Sequence, residues 1–218
     1  RRPHSGLPVT VQPSQLLDRL IAHVAPLGSA VVAFSAGVDS TVVLAVAQRA
    51  LGSAALGVTG VSPSLAPAEA RECEQLAALV GARLQFATTA EMDDPRYVAN
   101  GNDRCFWCKS ELYGVCRQVA DARGHAAVLD GTNADDVGDY RPGRQAASEI
   151  GVRSPLLDCE VGKDDVRAVA RHLGLPNWDK PAMACLASRL PHGTSVTAER
   201  LAAVAAVERA LREHGFRQ

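Results

Sequence analysis

The chain has 218 residues, 47% of them hydrophobic and 22% charged, with a formal net charge of −1. That balance fits one large globular domain, or a domain with an appendage, and supplies no basic field for nucleic acid. No apolar run approaches the ~20 residues of a membrane span, and Arg1 to Gly6 lack the apolar core of a signal peptide.

Residues 1–12 are expected to form a disordered start, followed by an amphipathic helix over 14–27 with Leu16, Leu17, Leu20, Ile21 and Val24 on one side. A strand over 30–34 then breaks into Ser35-Ala36-Gly37-Val38-Asp39-Ser40-Thr41, where a helix over 39–51 begins. Small residues let the backbone approach an anion, and the free N–H groups and dipole of a helix start favour negative charge. No Gly-Lys-Ser/Thr pair is present, so this is not the P-loop of kinases and GTPases. The plain structural alternative is a strand–helix turn with a capped helix start.

A strand over 55–59 ends in Gly60-Val61-Ser62, a helix covers 67–80, and Arg83 to Ala87 form another strand. A polar loop over 91–103 precedes a helix at about 105–123, and the strand 126–130 ends in Gly131-Thr132-Asn133. Alternating strands and helices predict an α/β fold, a parallel sheet flanked by helices, with binding sites at the carboxyl ends of its strands. Ser35, Gly60 and Gly131 all fall at such ends. The second half is less regular: a short strand at 153–157, a helix over 163–173, a Pro- and Gly-punctuated stretch over 176–197, and a closing helix over 197–214. We expect a main domain over 13–152 and a smaller C-terminal appendage over 153–218, which reads as the start of a longer region.

Six cysteines in a chain of this type point to metal binding or catalysis in a reducing, cytoplasmic setting rather than to disulfides. Cys105 and Cys108 form a CxxC flanked by Arg104 and Lys109, two cations that favour thiolates. Two soft ligands are too few for a closed zinc site, while an iron–sulfur cluster also takes thiolates; a redox dithiol or plain core cysteines are the alternatives. Cys185 lies in a non-periodic basic loop with Ser188 and Arg189, where chemistry often sits. Cys73, Cys116 and Cys159 read as structural. The acidic stretch 130–139 suits magnesium at ATP phosphates, ribose contacts, or helix caps, and Arg141 and Arg144 suit a phosphate or the surface.

These pieces, in this order, resemble the LarE family of ATP-dependent sulfur transferases within the PP-loop ATP pyrophosphatases. The resemblance is carried by Phe34 to Thr41 (with Ala36 where the superfamily pattern has Gly), Val128 to Asn133, Asp139-Tyr140-Arg141-Pro142-Gly143, and Cys185-Leu186-Ala187-Ser188-Arg189 through Thr194. It implies adenylation of a carboxylate of pyridinium-3,5-biscarboxylic acid mononucleotide and replacement of AMP by sulfur, in the maturation of the nickel-pincer cofactor of lactate racemase. It implies ATP held by Ala33, Phe34, Ser35, Gly37, Val38, Asp39, Ser40, Thr59, Gly60, Gly131 and Thr132, with magnesium. Cys185, Asp39, Ser188 and Arg189 take catalytic roles by the same resemblance. Cys105, Cys108 and Cys185 match the class that holds a [4Fe-4S] cluster by three thiolates, with sulfide or another donor supplying the sulfur. A homo-oligomer is expected, with no nucleic-acid or membrane partner. The rivals are a tRNA thiolase of the same superfamily and a non-catalytic ATP-binding domain with a structural metal.

Overall fold

The computed structural model describes residues 12–138, 142–181 and 185–216. Helix α1, Pro13–Val24, starts with Pro13 in its first turn and Gln15 Oε1 reaching back 3.3 Å to the Gln12 N–H. Leu16, Leu17, Leu20 and Val24 form its buried stripe. Strand β1, Ala30–Ala33, is buried along its whole length and feeds helix α2, Val38–Leu51. Strand β2, Ala55–Val61, leads to helix α3, Pro67–Val80, which ends where Gly81 turns left-handed at φ 73°. Strand β3 spans Arg83–Thr88.

The predicted polar loop 91–103 contains a short helix, α4, Pro95–Val98, started by Asp94 accepting from the Arg96 N–H at 2.9 Å. Helix α5, Arg104–Arg123, stops at left-handed Gly124, and strand β4, Ala127–Leu129, follows. Helix α6, Pro142–Ile150, is an element that the sequence reading left out; it buries Ala146 and Ala147 beneath α5. The short strand expected at 153–157 is a correction. Arg153 makes a single parallel bridge to Leu129, and Pro155 then opens helix α7, Pro155–Asp158. Proline pre-sets the helical φ and lacks the N–H that a strand would use. Helices α8, Lys163–His172, and α9, Ala198–Glu213, complete the described chain.

The four strands are parallel in the order β3-β2-β1-β4, with Ala30 opposite both Ala55 and Ala127. Such a sheet hides both faces under helices. One face carries α1, α2, α3 and α8 around Leu20, Val42, Leu44 and Val169; the other carries α5 and α6 around Tyr113, Cys116 and Ala146. Leu156, Val161, Val166 and Leu175, beyond residue 152, join the same core as α1 and α2. A third cluster joins Tyr97, Leu186, Val196 and Leu201, so the loop containing Cys185 is packed against α4 and α9. Burying each such aliphatic side chain contributes about 1.5–3 kcal/mol. No described helix is long and apolar enough to cross a membrane.

Candidate active site

The residues after β1 make the turn that the sequence suggests. Gly37 is the extended N-cap of α2, and the Thr41 N–H makes the first helical bond to Gly37 O at 2.9 Å. The N–H groups of Val38, Asp39 and Ser40 therefore open the helix with no partner in the preceding turn. Ser40 Oγ and Thr41 Oγ1 donate back to Gly37 O at 3.1 and 2.8 Å, and the Ser35 N–H donates to Ser40 Oγ at 3.3 Å. Ala36 is fully buried in the left-handed region at φ 56°, a conformation that costs a residue with a Cβ about 1–2 kcal/mol. Its carbonyl accepts from Asn177 Nδ2 at 3.1 Å and Lys180 Nζ at 3.3 Å. Two side chains from far along the chain thus hold the strained turn.

Asp39 is engaged on both oxygens: Asn133 Nδ2 donates to Oδ1 at 3.1 Å, and Lys163 Nζ pairs with Oδ2. Lys163 stands in the first turn of α8, where the helix dipole disfavours a cation. That misplaced charge was the signal available in sequence. Its own N–H donates to Asp135 Oδ2 at 2.6 Å. Asp130 accepts from Tyr113 Oη at 2.8 Å, Thr132 Oγ1 at 2.7 Å and Ser154 Oγ at 2.7 Å, and Asp136 accepts from the Asn133 N–H at 3.0 Å. The acidic stretch therefore shapes the loop end of β4. Arg144 Nη1 donates to Asp136 O at 3.2 Å, while Asp139, Tyr140 and Arg141 lie outside the described residues. Gly131 is needed for close approach, since a Cβ there would sit 2.8 Å from Ser40 N.

The loop around Cys185 is built on two buried side chains, Asn100 and Arg104. Asn100 has φ 55° and sends Nδ2 to Pro191 O at 2.9 Å and Thr194 O at 3.0 Å. Arg104 Nη1 donates to Asn100 Oδ1 at 2.6 Å and Ala187 O at 2.8 Å, and Nη2 to Ser188 Oγ at 3.0 Å. Ser188 Oγ in turn lies 3.3 Å from Cys185 Sγ, and Arg104 Nη2 lies 4.0 Å from Cys105 Sγ. The loop is thereby clamped to the helix that carries the CxxC. Cys105 is exposed; Cys108 is half-buried, and the loss of water pushes its thiol up to about 12. Arg189 is turned towards α9, where Nε pairs with Glu208 at 2.8 Å. Among the described residues, no three or more His, Cys, Asp or Glu side chains stand at metal-holding spacing. Cys73, Cys116 and Cys159 are buried, as expected.

A cleft of about 340 Å³ is lined both by residues of the turn before α2 and by cysteines. Ser35, Gly37 and Asp39, then Phe34, Thr59 and Gly60, and also Cys108 and Cys185 line it. Lys163, Lys180 and Glu91, which sequence reasoning missed, also line it. Ala33 is buried in the sheet, and Thr132 faces a separate groove with Arg144 and Arg153.

No protein-family model matches the chain. It is 45% identical over 202 residues to the uncharacterized protein slr1717 of Synechocystis, covering 93% of this chain and 75% of that one. It is 39% identical over 198 residues to the pyridinium-3,5-bisthiocarboxylic acid mononucleotide synthase of Lactiplantibacillus plantarum, covering 90% and 72%. In fold it is similar to the NH3-dependent NAD synthetase of Campylobacter jejuni, with a TM-score of 0.63 and 13% identity over 94% of this chain and 88% of that one.

Proposed function

We infer the function from one premise: the chain belongs to the family of the pyridinium-3,5-bisthiocarboxylic acid mononucleotide synthase. On that premise it is an ATP-dependent sulfur transferase that activates a carboxylate of a pyridinium mononucleotide as the acyl adenylate and exchanges AMP for sulfur. The observation that carries this reading is the shared cleft, lined both by an anion-type helix start and by two thiols.

In this reading the phosphates lie on the N–H groups of Val38, Asp39 and Ser40, and Asp39 holds magnesium. Asp39 would be the carboxylate that holds the metal, and Lys163, paired with it here, is the cation that would stabilise the developing charge of the pyrophosphate leaving group. Lys180 keeps the turn at Ala36 in shape. Thr59 and Gly60 lie beside the adenosine.

The thiols of Cys105, Cys108 and Cys185 have the donor chemistry of a three-thiolate [4Fe-4S] site; Arg104 ties the 185–190 turn to the helix that carries the CxxC, while among the described residues the three thiols do not stand at metal-holding spacing. When bound, such a group with three thiolate ligands offers an open iron for a sulfur atom. Cys185 and Ser188, 3.3 Å apart, would orient the sulfur towards the adenylate, and Arg104 would offset negative charge there.

The test is acceptor-dependent turnover under anaerobic conditions. AMP, pyrophosphate and a thiocarboxylate product should appear together, and only with the mononucleotide present. ADP and phosphate, or AMP release indifferent to the mononucleotide, would overturn the assignment. Iron and acid-labile sulfide, measured on anaerobically purified protein, test the cluster separately.

A further inference from the structure

We propose that the groove at the carboxyl end of β4 is a second ligand site, for a sugar phosphate held by Arg144 and Arg153. It shares no lining residue with the cleft, and the proposal stands apart from the sulfur-transfer reading.

The groove measures about 410 Å³, within the ~300–1,000 Å³ of small-molecule sites. Arg153 is fixed to β4 by its backbone: its N–H donates to Val128 O at 2.9 Å, and its carbonyl accepts from the Asp130 N–H at 3.0 Å. The residue is exposed, and its guanidinium has no hydrogen-bond or ion-pair partner among the described residues. Arg144 comes from α6 and is half-buried. Its Nη1 donates to the carbonyls of Asp136 and Val137 at 3.2 and 3.4 Å, and the rest of its fork is unengaged among the described residues. Two like charges thus line one groove with a single carboxylate, Asp158, which already pairs with His23 at 3.2 Å. Like charges set together repel, and an anion between them removes the repulsion. The planar fork of a guanidinium matches the oxygens of a phosphate.

The hydroxyls beside them narrow the choice. Thr132 and Ser154 line the same groove, and both commit their hydroxyl protons to Asp130, at 2.7 Å each. Asp130 is 4% exposed and also accepts from Tyr113 Oη at 2.8 Å, so these bonds are held from behind. The two hydroxyl oxygens are left with lone pairs alone, as acceptors. A fitting ligand therefore brings negative charge for the guanidiniums and O–H donors for the two oxygens. Hydrogen phosphate brings one such donor; a sugar phosphate brings several on one ring. Val152 and Leu157 give its carbon skeleton an apolar side to rest on. The same chemistry is offered by a free sugar phosphate and by the ribosyl phosphate of a mononucleotide.

Calorimetry on the full chain, without ATP or metal, decides it. Ribose 5-phosphate should bind, ribose should not, and inorganic phosphate should bind about tenfold more weakly, the loss expected for one hydrogen bond. Arg153→Gln, at an exposed position, should weaken ribose 5-phosphate about tenfold or more, as for a charge-assisted bond, and leave ATP affinity as it was. Ser154→Ala should bring ribose 5-phosphate down to the level of inorganic phosphate while sparing the latter. Nicotinate mononucleotide separates the two sources: an affinity equal to that of ribose 5-phosphate or higher assigns the groove to a mononucleotide, and a weaker one to a free sugar phosphate. In crystals of the complex the phosphate should lie within hydrogen-bond distance of both guanidiniums. Ribose 5-phosphate binding that only matches inorganic phosphate, or that is unchanged in Arg153→Gln, would overturn the proposal.

Discussion

Two parts of the cleft wall are built on opposite principles. The turn before α2 is backbone geometry: a strand, small residues and the open N–H groups of the helix, all seated in the main core. Around Cys185, side chains do the assembling, with Asn100 and Arg104 reaching across some ninety residues to fix the loop. A backbone site survives most substitutions of its neighbours, whereas a side-chain hub fails when one member is lost. The halves of the reaction should therefore fail separately.

The largest effect expected is at the start of α2. Asp39→Ala should lower AMP formation by about a hundred- to a thousandfold, the scale seen when one stabilising group is removed from a reacting oxyanion. Pyrophosphate release measures it, and an activity within tenfold of the parent would remove Asp39 from the reaction. Next, Cys185→Ala should abolish the thiocarboxylate while mononucleotide-dependent exchange of pyrophosphate into ATP persists. Equal loss of both would mean that the two halves are not separable.

Arg104→Met should sharpen the contrast. It strands Asn100 Oδ1 and Ala187 O, at about 1–3 kcal/mol for buried groups left unpaired. Thiol-specific crosslinking between Cys185 and the α5 cysteines should slow, while ATP binding by calorimetry stays as it was. A fourth prediction concerns pH. Burial pushes the Cys116 thiol from 9.0 up to about 12. Between these values the unfolded chain releases a proton that the folded one keeps, so stability is full below 9.0 and declines towards 12. The slope from this group is about 1.4 kcal/mol per pH unit. Cys116→Ala should flatten it in alkaline denaturant titrations of metal-free protein. The smallest effect is at the strained turn, where Ala36→Gly should stabilise by no more than about 1 kcal/mol, because relief of strain is offset by a freer unfolded chain.

The strand–turn–helix around Gly37 was legible in the sequence because its signal is local. Val31 and Val32 mark the strand, Gly37 the turn, and Val42 to Val46 the buried helix, within one short segment. Helix α3 ran as expected over 67–80 because Pro67 starts it and Gly81 stops it. Locality also explains the misses. Pro155-Leu156-Leu157 looks apolar enough for a strand, yet the proline commits it to a helical turn. Lys163, Asn177 and Lys180 gain their meaning only when the fold brings them to Asp39 and Ala36. Glu91 resembles any acid in a polar loop until Ser62 and Ser64 close around it.

The long reach of those lysines has a consequence for biosynthesis. Asp39 meets Lys163 across 124 residues, and Ala36 meets Asn177 and Lys180 across 141 and 144. Chains grow from the N-terminus at about 5–20 residues per second. The turn before α2 therefore leaves the ribosome several seconds before the side chains that hold it, and for that interval the nascent chain has a strand and a helix but no clamp on Ala36 or Asp39. Closure of this turn becomes a late event of synthesis: a ribosome stalled before α8 carries a chain without Lys163, Asn177 or Lys180.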